Sequence, residues 1–356
     1  MSYQQVKQPK FYVSILQWLK AINGISWLSN ESTQIASTNP YFETSKTHPL
    51  SIFDLNSLSK TMDISNFQST QVRLNYCYLS KMGNLSEMMP TSNNFFMVLN
   101  HNMKSWGFYI HPQDNANLSL ASSVNAVSYS SRQLTYRGWA LGTGNNANSC
   151  NNRVGISINV PSTASGVYKF SKVAYGTYYT IDSPDLQINI ETTYPKSTSQ
   201  KSLNFGTFKN TLYAAKNTNW IIGGAWDLDG NSKYKKLSRT GFKKWNLKFS
   251  TIMENNLFSS NASLSTKRMD WSDGSLDEDV NLNNTGYFKY NLLTDNSFYS
   301  QVWHKTLNGN LPFIFNPSGE NNQDDFYLVK FLDNSLKVTR DSHNTYSISF
   351  KLIEVQ

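Results

Sequence analysis

Cysteine is nearly absent: the 356 residues contain two, Cys77 and Cys150. With no CxxC spacing they cannot form a zinc site alone, and they do not amount to a disulfide framework. Cys77 alternates with aromatic residues in "NYCYLS" and reads as a small buried hydrophobe, whereas Cys150 falls in an Asn-rich loop. Long apolar runs are also missing, and none approaches the roughly 18 residues that cross a bilayer as a helix. "FYVSILQWLKAI" is broken by Ser14, Gln17 and Lys20 and carries no cleavage pattern. Neither a signal peptide nor membrane insertion is therefore expected.

The marks of catalysis are equally scarce. The five histidines (His48, His101, His111, His304 and His343) are scattered, without HxH or HExxH spacing. No GxSxG elbow supports a nucleophilic serine. "LGTGNNANS" contains GxG but opens no helix and lacks a phosphate-binding lysine. "DLDGNS", from Asp227, departs from a calcium loop, because its glycine comes too early and Ser238 replaces the bidentate glutamate. The sequence reads as a non-enzyme without a cofactor or a resident metal.

Charged residues are only 16% of the chain, while aromatic residues reach 14%. Few charges among many rings argue against disorder, and rings flanked by Asn, Ser and Thr suit short strands joined by polar turns. A mainly β protein is predicted. The formal charge of +8 would permit contact with nucleic acid. However, the basic run "KYKKLSRTGFKK", containing Lys235, Lys236 and Arg239, is followed by the acidic "DWSDGSLDEDV", containing Asp277, Glu278 and Asp279. Neighbouring blocks of opposite sign point to solvated loops or to pairing between subunits, so nucleic acid is not an expected partner. Lys235, Lys236, Arg239, Asp277, Glu278 and Asp279 are the candidate assembly residues.

Three segments are expected. Residues 1–64 read as an extended arm with one short helix, since "SILQWLKAIN" spaces Ile15, Leu16, Leu19 and Ile22 helically and Gly24 can end it. Residues 65–182 read as a β-sandwich of short strands: "QVRLNYCYLS" alternates, and "FFMVLN" is the continuous apolar run of a strand covered on both sides. Residues 183–356 read as a second β-sandwich or barrel. Its "FKKWNLKFSTI" contrasts Trp245, Leu247 and Phe249 with Lys244, Asn246 and Lys248. A single helix is predicted near 295–308, capped by Thr294 or Asp295 and ended by Gly309, with Ser300, Gln301, His304 and Lys305 opposite its apolar side.

His101 closes the buried run "NFFMVLNHNM", and with no nucleophile or orienting carboxylate identified it reads as a turn residue. Trp106 and Trp139, near loops, are candidate sugar-stacking platforms. The acidic run, including Asp270 and Asp273, has the composition to hold a hard cation but reads as a solvated loop.

"NFFMVLNHNM", "GFYIHP", "YRGWAL" and "VGISIN" resemble the discoidin-type (galactose-binding-like) jelly roll over roughly residues 65–182. That resemblance implies an architectural His-Asn pair and ligand binding by loops at one end of the sandwich. "QPKFYV", "VLNHN", "YGTYYTIDSPDL", "KKWNLKFS", "NGNLPFIFNP" and the final "FKLIEV" resemble, in order, uncharacterised virion or tail proteins of marine tailed phages. The C-terminal half also resembles the tail-tube-related folds of minor and distal tail proteins. Together these imply a homo-oligomeric ring or hub subunit near the distal end of a tail, assembled in the host cytoplasm alongside other tail proteins. The alternative they imply is a tail protein that binds host-surface carbohydrate.

Overall fold

In the computed structural model of the chain, the described residues are 6–27, 49–55, 62–65, 71–78, 88–90, 92–99, 107–113, 125–128, 140–144, 153–159, 167–170, 172–185, 188–193, 197–203, 206–212, 242–258, 293, 295–320 and 326–355. They are mostly β. A ten-stranded antiparallel sheet dominates, built from β1 (Lys10–Ser14), β5 (Asn94–Leu99), β8 (Ala140–Gly144), β11 (Lys172–Thr180), β12 (Asn189–Thr193), β15 (Phe242–Met253), β16 (Phe313–Asn316), β17 (Tyr327–Phe331), β18 (Lys337–Ser342) and β19 (Thr345–Glu354). Its order is β12-β15-β19-β17-β16-β1-β11-β5-β8, with β18 also paired to β19. A five-stranded sheet has the order β2-β4-β9-β6-β7, from β2 (Ile25–Trp27), β4 (Gln71–Tyr78), β6 (Gly107–Gln113), β7 (Asn125–Ser128) and β9 (Arg153–Asn159). Strands between 71 and 159 are thus shared between these two sheets, and β7 lies against β5 and β8, a sandwich-like arrangement. Two further two-stranded pairings join β3 (Met62–Ser65) to β10 (Val167–Phe170) and β13 (Ser197–Leu203) to β14 (Gly206–Leu212).

The N-terminal segment differs from the expected arm. β1 lies between β11 and β16 in the middle of the large sheet, pairing Phe11 with Tyr179 on one side and with Phe315 on the other. The reason is burial: Phe11, Tyr12 and Val13 all leave water, and an extended strand places them on alternate faces. One continuous sheet therefore takes strands from all three expected segments.

Both faces of the sheet's middle are covered. One core gathers Phe11, Val13, Trp245, Phe249, Phe298, Phe315 and Phe350 among others. The other gathers Tyr12, Phe95, Met97, Leu99, Ile314 and Leu328. β5 is buried along its whole length, as "FFMVLN" predicts. β15 alternates as predicted, and its Trp245, Leu247 and Phe249 meet Leu352, Phe350 and Ile348 of β19 across the pair.

After β1 the chain turns at once into α1 (Ile15–Ala21). The Ser14 hydroxyl accepts the Gln17 N–H at 3.3 Å, as an N-cap does. Asn23, at φ 57°, takes the left-handed conformation just beyond the helix, one residue before the predicted stop at Gly24.

The helix predicted near 295–308 is a π-helical turn, Tyr299–His304. Its first turn is held by Ser297, whose hydroxyl accepts from the Ser300 N–H at 3.3 Å, rather than by an Asp295 cap; Thr294 lies outside the described residues. Ser300, Gln301 and Lys305, expected opposite the apolar side, are buried as well. Their polar atoms find partners inside, and of the turn only Tyr299 and His304 stay partly exposed.

Candidate functional site

Most residues singled out from the sequence lie outside the described residues: His101, Trp106, Trp139, Lys235, Lys236, Arg239, Asp270, Asp273, Asp277, Glu278 and Asp279. Among the described residues no group of three or more His, Cys, Asp or Glu side chains can hold a metal ion, and no helix is long and apolar enough to cross a membrane.

Two polar constellations emerge. The first is a buried knot between the π-helical turn and β11. Lys305 donates from Nζ to the Leu293 carbonyl at 2.8 Å and to Gln301 Oε1 at 2.7 Å. The same Oε1 accepts from Thr177 Oγ1 of β11 at 2.8 Å. Gln301 Nε2 donates to the Leu293 and Asp295 carbonyls, which gathers the approach to the turn. Burial pushes the Lys305 ammonium down to about 7. Burial, followed by the neighbouring Lys305 charge, also lowers His304, whose ring stands 5.9 Å from Trp18 of α1. The Gln17 amide nitrogen and the Trp18 indole nitrogen are buried without a hydrogen-bond partner. Thr177, Gln301 and Lys305 are buried and tie side chains to backbone carbonyls, so the knot fastens the turn to β11.

The second constellation is exposed and basic. Opposed residues of an antiparallel pair share a face, and the registers place five lysines on one side of four strands. Lys351 on β19 lies opposite Asn246 on β15. Lys248 on β15 and Lys337 on β18 flank Ser349 from either side. Lys244 on β15 and Lys330 on β17 flank Ile353 in the same way. Lys351 is therefore the centre of a lattice with a lysine at each of its four diagonals, a spacing of roughly 7–8 Å between backbone positions.

This face continues the side of the sheet that buries Leu328, Ile314 and Tyr12 further in. It emerges into solvent from Lys330 outward, and Lys248, Lys337 and Lys351 are exposed. Among the described residues, acidic groups border it, Asp333 in the turn from β17 to β18 among them, where the Leu332 N–H donates to the Lys351 carbonyl. Asp185 lies 3.5 Å from Lys248 and accepts from the Ser250 N–H and hydroxyl. Glu191 on β12 stands opposite Lys244. Asp341 accepts the Ser347 hydroxyl at 3.1 Å. Among the described residues, no carboxylate forms an ion pair with Lys330, Lys337 or Lys351.

Sequence reasoning placed the basic surface in 233–244 and missed this lattice. The alternation in "KKWNLKFS" and "ISFKLIE" marks Lys244, Lys248 and Lys351 as outward-facing, but only the registers bring them to Lys330 and Lys337. Lys244 is also the last residue of the basic run, so that run leads directly onto the face.

No protein-family model, curated protein or solved structure matches this chain.

Proposed function

We propose that the chain is a structural subunit of a tailed-phage virion, a ring or hub component at or near the distal end of the tail. The observation that carries this reading is the lysine lattice. Its charges stand on an exposed sheet face anchored in two cores. A broad surface of this kind suits a macromolecular partner, whereas a small substrate calls for a concave, mostly apolar site. The buried knot supports the same reading, because its polar groups fix the turn against β11. The phage setting itself comes from the ordered sequence anchors, several of which form central strands here: "KFYV" is β1, "YGTYYT" ends β11 and "FIFN" is β16.

Immunogold electron microscopy of the source phage with antibodies to the full chain tests the proposal. Label confined to the tail, towards its distal end, is expected. Particles that lack the label while infected cells contain the protein would exclude a virion role.

A further inference from the structure

We propose that the five-lysine face of β15, β17, β18 and β19 seats the acidic stretch 270–279 of a second copy of this chain. The inference rests on the ring-subunit reading and names the contact that would join its copies. Like charges on neighbouring positions of a sheet repel, and Lys351 has four such neighbours. An anionic partner relieves that repulsion and uses donors at Lys330, Lys337 and Lys351 that have no carboxylate partner among the described residues. The chain contains a matching segment. Five of its 24 acidic residues, Asp270, Asp273, Asp277, Glu278 and Asp279, fall within ten positions.

The spacing fits as well. Alternate residues of an extended peptide stand about 7 Å apart, close to the diagonal step of the lattice, and residues four apart span about 13 Å. Lys337 and Lys330 flank β19 positions that are four residues apart, Ser349 and Ile353. Lys248, Lys337 and Lys351 are exposed, and the ring-subunit reading puts the occupant on a second copy. Between the lysines the face presents Ser349, Asn246, Thr339 and Ile353, with no ring for bases to stack on, which favours an acidic peptide over a single-stranded nucleic acid.

The test uses full-length chain, half of it labelled with ¹⁵N, mixed at high salt and dialysed to low salt. A carbodiimide then couples lysines directly to carboxylates, and mass spectrometry reads the joined peptides. Peptides linking Lys330, Lys337 or Lys351 to 270–279 are expected, about half of them of mixed isotope from random pairing. The double variant K337E/K351E should lose these links, and mixing it with D277K/E278K should restore assembly through reversed charges. Links of a single isotope only, or none, would overturn the inference, as would Lys351-dependent binding of duplex DNA without such links. If the links are missing while the protein still labels phage tails, this inference fails alone. Absence from the particle removes the ring reading itself.

Discussion

Lys305 shows how one buried charge ties stability to pH. Its ammonium is held down to about 7 by burial, against an ordinary lysine value of about 10.5. Between those values the unfolded chain binds a proton that the folded chain releases, so stability rises as pH rises. The contribution is complete above the unfolded value and is lost as pH falls to about 7. Wild-type protein should therefore gain stability from pH 7 to 9.5, with this group adding up to about 1.4 kcal/mol per pH unit. Lys305→Met should flatten that slope, and urea unfolding across the range reads the difference. Equal slopes in the two proteins would contradict a buried lysine that readily gives up its proton.

Phe11 carries the other argument at this scale. Its ring meets Phe298 edge-on at 5.6 Å and lies 5.4 Å from Phe315 and 5.9 Å from Phe313. Phe11→Ala should cost about 3–5 kcal/mol, the range for emptying an aromatic site in a packed core. A loss below 1 kcal/mol in chemical denaturation would mean that β1 is peripheral.

Among the elements, β1 and its flanks are held by close backbone approaches. Gly319 has φ +68°, and a β-carbon there would come within 2.1 Å of the Gln8 carbonyl oxygen. The Lys7 N–H donates to the Pro317 carbonyl at 3.0 Å beside the Lys7–Glu320 ion pair at 3.2 Å. Gly176 of β11 is similarly tight, with the Val13 carbonyl oxygen at 2.1 Å from such an atom. Gly319→Ala combines a left-handed backbone with a backbone clash and should cost about 2 kcal/mol or more. Thermal unfolding measures this, and an unchanged midpoint would contradict the fastening of the N-terminal segment to this turn.

These elements also show what was legible in the sequence. β5, β15 and β19 could be read because burial on one or both faces leaves an apolar run or a period of two. β1 could not. Five residues merge directly into α1, and their strand state depends on partners more than 160 and 300 positions away. The π-helical turn was read as an ordinary helix because polarity at Ser300, Gln301 and Lys305 looks the same whether water or carbonyl groups satisfy it. β18 and the β13–β14 hairpin were missed, since "KVTRDS" and "STSQKSL" carry almost no apolar signal. The lysine lattice is a product of register, which no local pattern encodes.

For the whole molecule, the central feature is one sheet that takes strands from residues 10 to 354. With its first strand in the middle, the sheet cannot lose that strand without exposing both cores. It also gives the lysine face a rigid backing, as an interface needs. If that face joins copies, association must weaken with salt, because exposed charge pairs are screened over about 10 Å at 0.1 M and about 3 Å at 1 M. Sedimentation velocity should show assemblies at 50 mM salt that shift towards single chains at 1 M, with K337E/K351E dissociated in both. Salt-independent assembly would point to an apolar interface elsewhere.

The proposed ring is tested most directly by electron microscopy of the purified full-length chain at low ionic strength. The account predicts closed particles of one subunit number, each subunit turning its lysine face towards a neighbour. A uniform population of single chains at micromolar concentration, or open fibres with the lysine face in solvent, would contradict it.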